Sequence, residues 1–136
     1  MELQIGVKAI IKNKQNQILM LKRAVPSEIN KDYYWDLPGG RLRPEETIHD
    51  ALTREIMEET GMKMIGDPHI IFSQDIFIDN KQRHVVRLTY IVDTIGTEIV
   101  IDKQEHTEYK WVNLDEVKNI TFDKYLEPII KLLIHS

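Results

Sequence analysis

Gly40-Arg41-Leu42-Arg43-Pro44-Glu45-Glu46-Thr47-Ile48-His49-Asp50-Ala51-Leu52-Thr53-Arg54-Glu55-Ile56-Met57-Glu58-Glu59-Thr60-Gly61-Met62 is the stretch on which the reading of this chain turns. Pro44-Glu45-Glu46-Thr47 reads as the start of a helix, with acidic residues at the positive end of the helix dipole. The helix is expected to run from Glu46 to about Thr60, with Gly61 as a left-handed terminating residue. Ile48, Ala51, Leu52 and Ile56 form one apolar stripe at helical spacing. On the same wheel Glu55 and Glu59 fall in the middle of that stripe, and Glu58 falls at its edge. Carboxylates spaced three and four apart repel, and they lie near the negative end of the dipole. Arg54 can pair with Glu58, but one arginine does not neutralise three carboxylates. Hard divalent cations do, and an all-oxygen donor set suits Mg²⁺ or Mn²⁺. A solvated acidic helix turn is the competing reading, and helix geometry alone leaves both open.

Outward from this helix the pattern is strands. Leu3 to Lys12 and Gln17 to Arg23 read as two strands joined into a hairpin by the polar turn Lys12–Asn16. Val25 to Asp32 reads as a loop. Tyr34-Trp35-Asp36-Leu37 is a short extended piece stopped by Pro38-Gly39-Gly40. Beyond the helix, Met64 to Phe77 and Arg83 to Asp93 read as two long strands around the turn Asp79–Gln82. Further strands are expected at Thr97 to Ile101 and Glu108 to Val112, with a helical turn at Leu114 to Val117. Phe122 to Ile134 carries a helical apolar stripe. Strands, helix, strands, helix is the order of an α+β fold, with a mixed β-sheet sandwiched between helices, α/β/α.

Composition narrows the class. The 136 residues carry 18 Lys+Arg against 22 Asp+Glu, a net charge of −4, and fit one domain, 1–136. There is no Cys, so disulfides, thiolate nucleophiles and Cys-ligated zinc are excluded. No apolar run approaches the ~20 residues of a membrane span. The opening Met1-Glu2-Leu3-Gln4 lacks a basic leader and a long apolar stretch, so a cytoplasmic protein without membrane attachment is expected. Mild acidity argues against a nucleic-acid polymer as partner. It is compatible with a phosphorylated small molecule held through metal ions.

The full constellation is more specific than the helix. Gly40, five residues, Glu46, seven residues, then Arg54-Glu55-Ile56-Met57-Glu58-Glu59-Thr60-Gly61-Met62 resembles the Nudix box of the nucleoside-diphosphate-X hydrolases, with every defining position filled. Leu37-Pro38-Gly39 ahead of it is also typical of that family, and the opening Leu3-Gln4-Ile5 through Leu21-Lys22-Arg23-Ala24 resembles the MutT-like members. The resemblance implies the Nudix fold over nearly the whole chain. It implies hydrolysis of a pyrophosphate bond in a nucleoside triphosphate or another nucleoside diphosphate linked to X, with Mg²⁺ as cofactor and Mn²⁺ as a possible substitute. Alternatives within the family are an ADP-ribose or dinucleoside-polyphosphate hydrolase, or a non-catalytic nucleotide sensor.

The resemblance also implies roles. Glu55 and Glu59 become the main metal ligands, with Glu58 assisting and the Gly39 carbonyl as a further ligand. Glu46 supports the site, and Arg54 orients a glutamate of the catalytic set. The general base is Glu55 or Glu58, or else a glutamate from a distant loop, for which Glu105 and Glu108 are the candidates. Gly39 and Gly40 let the backbone bend and approach a ligand. Arg23, at a strand end, is expected to contact phosphate. Tyr34 and Trp35 read as core packing or as a stacking surface for a base. His84 and Arg87 read as a solvated sheet face, with a substrate-facing position as the alternative. His49 reads as exposed, and Met57, Met62 and Met64 as packing residues. MutT-like enzymes that read oxidised guanine carry an asparagine before a Glu-Pro pair in the C-terminal helix. Here Leu126 precedes Glu127-Pro128, so that hydrogen-bond readout is missing. The tyrosine of diadenosine-polyphosphate hydrolases and the proline of ADP-ribose hydrolases are also absent near Ile78 and Phe77. The substrate is expected to be a small nucleotide, and the assembly a monomer or homodimer.

Overall fold

The first apolar run becomes β1 (Glu2–Ile11), a strand covered on both faces. The computed structural model describes residues 1–25, 35–96, 98–117 and 124–135. Tyr34, Phe122, Thr97 and most of the Val25–Asp32 loop lie outside them. β1 pairs in parallel with β6 (Arg83–Ile95) from Glu2↔Arg83 to Ile11↔Val92, and antiparallel with the short β4 (Gly39–Arg41). β6 pairs antiparallel with β5 (Lys63–Ile78), completing a sheet of order β4-β1-β6-β5. β5 is an edge strand. Its pairing shifts register between Ile65 and His69, where Gly66 (φ 67°) and Pro68 interrupt the ladder.

The expected hairpin of the first two strands does not form as such. β2 (Ile18–Arg23) joins a second sheet of order β3-β2-β7, with β3 at Trp35–Asp36 and β7 at His106–Val112. Among the described residues the isolated bridge Lys12↔Ile18, just past the end of β1, and the Asn13 N–H to Gln17 carbonyl bond of the turn join the two segments. The turn between them is real. The Asn13 side chain accepts the N–H groups of Gln15 and Gln17, and Asn16 is left-handed at φ 61°. Beyond the bridge each strand finds its ladder partner elsewhere, and the sheets separate.

The helix α1 (Ile48–Thr60) begins two residues later than its sequence suggests. Pro44 to Glu46 form a turn, with Glu45 left-handed at φ 65°, and Thr47 is the N-cap, its hydroxyl accepting the Asp50 N–H at 3.0 Å. Gly61 closes α1 at φ 76°, donating to the Met57 carbonyl. The expected strand at Thr97 to Ile101 is irregular over its described residues. There the Val100 N–H satisfies the orphan Thr60 carbonyl at the helix end, 2.8 Å away. Leu114 to Val117 form the expected turn, and α2 spans Glu127–Ile134.

Two cores flank the sheets. Val7, Ala9 and Ile11 of β1 pack with Ala51, Leu52 and Ile56 of α1. Ile10, on the opposite face of β1, packs with Ile129, Ile130 and Leu133 of α2. A central strand therefore alternates between two helix-covered cores, which is the α/β/α layering. The same alternation puts Gln4, Gly6 and Lys8 on the face of β1 away from α1's apolar core.

Candidate active site

A cleft of about 660 Å³ opens over one face of β1 and β6, where Gln4, Gly6 and Lys8 lie beside Arg83, Val85 and Arg87. β1, β4 and β6 form one side of it, the ends of β2 and β3 contribute Arg23 and Asp36, and the turn before β7 contributes Glu105. α1 contributes Glu55 and Glu59. The wheel argument holds for these two. Both are buried, at 9% and 3% exposure, on the face that carries Ala51, Leu52 and Ile56.

Glu59 sits under the glycine turn, its Oε2 accepting the Gly39 N–H at 3.2 Å. Burial pushes its pKa up to about 9, and the adjacent Glu55 adds to the rise, while Lys8 opposes it. Gly40 makes this packing possible. A Cβ there would lie 2.5 Å from Glu55 Oε1. Gly39 is needed for a different reason. At φ 149° its Cβ would fall 2.0 Å from the Val7 carbonyl oxygen.

Arg54 ties the glutamates to the turn ahead of the helix. It donates to Glu46 through Nε (2.7 Å) and Nη2 (2.9 Å), to Glu55 Oε1 through Nη1 (2.7 Å), and to the Arg41 carbonyl through Nη2 (3.2 Å). Glu46 also accepts the Arg43 N–H. These contacts hold the Glu46 carboxyl at about 2 and push the Arg54 guanidinium above its ordinary value. Glu58 stands apart. Its side chain is 52% exposed, with Oε2 3.5 Å from Arg54 Nη1. Among the described residues no three His, Asp or Glu side chains converge on one point. The donor chemistry still suits a hard cation. Two buried carboxylates face the cleft, and Glu58 follows on the same helix with its side chain half-exposed.

Arg23 and Glu105 line the cleft together, joined by the Ala24 N–H donating to the Glu105 carbonyl at 2.8 Å. Glu108 does not. It is exposed and pairs with Lys22 at 3.4 Å. Trp35 is not among the residues that line the cleft. It packs half-buried against the α2-side core with Leu37 and Ile18, which is the packing alternative. His84 and Arg87 do not share a face, being three apart on a strand. His84 stacks on Phe77 and pairs with Asp75 at 2.7 Å, whereas Arg87 is 4% exposed and lines the cleft.

The sequence reading passed over the buried polar residues of the cleft floor. Lys8 Nζ donates to Asp36 Oδ2 at 2.8 Å and to the Leu37 carbonyl at 3.3 Å. Burial raises the Asp36 pKa, but Lys8, Arg87 and the Leu37 N–H outweigh it and hold the carboxyl below its usual range. Behind them His106, at 3% exposure, is kept neutral by burial and by Arg23 and Lys8, its pKa falling to about 4. The available signal was a lysine within the apolar run Ile5–Ile11 of β1, where a charge needs a partner.

A model of the NUDIX domain matches residues 2–133. The chain belongs to the Nudix family. It is 34% identical over 110 residues to a Bacillus subtilis protein provisionally described as an 8-oxo-dGTP diphosphatase, covering 79% of this chain and 65% of that one. It is 32% identical over 131 residues to the ADP-ribose pyrophosphatase of Methanocaldococcus jannaschii, covering 93% and 70%. The alignment thus spans just under two thirds of the Bacillus relative. A MutT protein from Methanosarcina mazei superposes with a TM-score of 0.84 at 26% identity, over 98% of this chain and 94% of that one. The chain is MutT-like in fold, and the α+β Nudix architecture read from the sequence is the one observed. In Nudix terms the box runs from the turn at Gly40 through α1, and its buried glutamates are Glu55 and Glu59. No helix among the described residues is long and apolar enough to cross a membrane.

Proposed function

We propose that this chain is a Nudix pyrophosphohydrolase that cleaves the diphosphate linkage of a small nucleotide with Mg²⁺, or Mn²⁺ in its place. The observation that carries the reading is the burial of Glu55 and Glu59 together beneath Gly39 and Gly40, at the wall of a cleft that also holds Arg23, Lys8 and Arg87. Anionic donors for a cation and cationic donors for phosphate oxygens meet in one space. A nucleoside triphosphate is the favoured substrate class, in keeping with the MutT-like fold. ADP-ribose is the alternative, favoured by the relative from Methanocaldococcus.

Glu55, Glu59 and a rotated Glu58 are the proposed ligand set, with the Gly39 carbonyl available beside them. The cation would neutralise phosphate oxygens and lower the pKa of an attacking water. The chain's own contribution is positioning. Arg54 fixes the Glu55 carboxylate and anchors it to Glu46, so the rotamer is set before substrate arrives. Arg23 supplies a donor for phosphate at the opposite wall. Glu105 stands beside Arg23 on the cleft and is the distal candidate for the base, while Glu58 is the candidate within the box. Displacement at phosphorus depends chiefly on such positioning and charge stabilisation. The activity is assigned to one domain, 1–136, acting as a monomer or homodimer in the cytoplasm.

The test is incubation with Mg²⁺ and a panel of the four dNTPs, 8-oxo-dGTP, ADP-ribose and a diadenosine polyphosphate, with products separated by chromatography. Nucleoside monophosphate from one class, absent with Glu59→Gln, is expected. Turnover unchanged in Glu59→Gln overturns the metal assignment.

A further inference from the structure

Strand β5 ends the first sheet, and half of its outer edge is unguarded. Among the described residues β6 is the only strand that pairs with it. An edge strand presents a row of unpaired N–H and C=O groups, and proteins blunt such edges with proline, lysine and bulges. The first half of β5 has these devices. Gly66, Pro68 and two shifts of register interrupt it before Phe72. From Phe72↔Thr89 to Ile78↔Arg83 the ladder is regular, and residues 72–78 contain no proline, glycine or lysine. Phe77 stands 56% exposed there. Asp75 is the one charged residue of that stretch, and its Oδ1 is held by His84 at 2.7 Å.

Two copies of one strand can pair antiparallel about a two-fold axis, each presenting the same surface to the other. Facing residues must project from the same side of the sheet, so the axis passes through a residue position rather than between two. Within the regular stretch three positions have two residues on each side: Gln74, Asp75 and Ile76. An axis at Asp75 sets one carboxylate directly against its copy, which destabilises. An axis at Ile76 sets Asp75 against Phe77 and Gln74 against Ile78, polar groups against apolar ones. An axis at Gln74 matches like with like. Amide faces amide, the Ser73 hydroxyl faces the Asp75 carboxylate twice, and Phe72 faces Ile76 twice. Ser73 and Asp75 are exposed, so their side chains are accessible for this pairing.

We propose that β5 is a self-association edge, and that two copies of this chain pair antiparallel through residues 72–76 about a two-fold axis at Gln74, joining their sheets into one. Phe77 of each copy then falls opposite the bulge of the other, beside Ile70, which is 53% exposed. The pairing requires nothing from the cleft, so it stands or falls apart from the hydrolase reading.

The experiment is sedimentation velocity of the full chain from about 1 to about 200 µM, a span that covers small, weak interfaces. The unmodified protein should pass from monomer to dimer as concentration rises. Ser73→Asp sets two pairs of carboxylates across the axis and should weaken the dimer about tenfold or more. Ser73→Asp/Asp75→Lys restores opposite charges at both places and should dimerise again. Ser73→Asp/Asp93→Lys has the same net charge, with the lysine at an exposed position on β6, and should not. All three positions are exposed, and melting curves check that each variant folds. A monomer throughout the range, a dimer indifferent to Ser73→Asp, or a loss repaired equally by both lysines or by neither overturns the pairing. Rescue by Asp75→Lys alone supports it, since that requires position 73 of one copy beside position 75 of the other.

Discussion

Arg54 holds Glu46 across eight residues with two parallel hydrogen bonds, Nε to Oε2 at 2.7 Å and Nη2 to Oε1 at 2.9 Å. Its Nη1 reaches Glu55 at 2.7 Å. The fork thus ties the turn ahead of α1 to a glutamate on the helix face turned toward the sheets. Lysine cannot reproduce it, because an ammonium is a point charge without the planar pair of donors. Arg54→Lys is expected to fold with a modestly lower Tm and to lose about tenfold or more in kcat through a less fixed Glu55. KM should change little. A normal kcat in a folded Arg54→Lys would mean that Glu55 is positioned by other contacts.

The pH dependence of the same pair has a defined sign. The Glu46 carboxyl is held at about 2 against an ordinary 4.5. A lowered carboxyl pKa contributes stability that is present above 4.5 and is lost as pH falls toward 2. Glu46→Gln should therefore melt with a flatter pH profile across that window, while differing from the unmodified protein chiefly above it. Identical acid profiles for the two proteins would show that Glu46 is not the group that titrates.

Residue patterns carried part of this site and hid the rest. Helical periodicity is local, so the wheel on Ile48, Ala51, Leu52 and Ile56 was enough to turn Glu55 and Glu59 inward. Glu58, at the edge of the stripe, is half-exposed. Strand faces are set by distant partners. The hairpin between β1 and β2 looked sound because its turn is sound, yet β1 pairs in parallel with β6, some eighty residues away in sequence. Lys8 and Arg87 became cleft residues only through that pairing. An alternating strand reads the same whether its polar face meets water or a ligand pocket, so Arg87 was indistinguishable from a surface arginine.

The two glycines of the turn should fail in different ways. At Gly40 a methyl group meets the Glu55 carboxyl at 2.5 Å, the movable end of a side chain. Gly40→Ala is expected to fold with a small change in Tm and to lose most of its turnover as Glu55 is displaced. At Gly39 the obstruction is the Val7 carbonyl, and the backbone lies at φ 149°. Gly39→Ala should lower Tm by many degrees or prevent folding. Equal melting temperatures for the two variants would contradict this division.

Glu59 offers a test of the cation that does not depend on activity. With its pKa raised to about 9 by burial and by Glu55, the carboxyl is largely protonated near neutral pH when no metal is bound. Gln is close to that form in shape and charge. In EDTA, Glu59→Gln should melt at or above the temperature of the unmodified protein. On adding Mg²⁺ the unmodified protein should rise in Tm, since binding to the native state stabilises it. The variant should show little or no rise. An equal Mg²⁺ response in both would remove Glu59 from the ligand set.

Lys8 and Asp36 form the buried ion pair of the cleft floor, with side chains 9% and 10% exposed. Removing one partner leaves an uncompensated buried charge, which typically costs about 3–5 kcal/mol. Lys8→Met should therefore be severely destabilised, because among the described residues Asp36 is left with Arg87 as the positive charge that lowers its pKa. Replacing both residues removes the stranded charge, so Lys8→Met/Asp36→Leu should recover much of the lost stability. It should not recover activity, since Lys8 also faces the cleft and its charge opposes the rise in the Glu59 pKa. Chemical denaturation of the two single variants and the double variant gives the coupling energy directly. Additive losses in that cycle would show the two charges to be energetically independent despite their 2.8 Å contact.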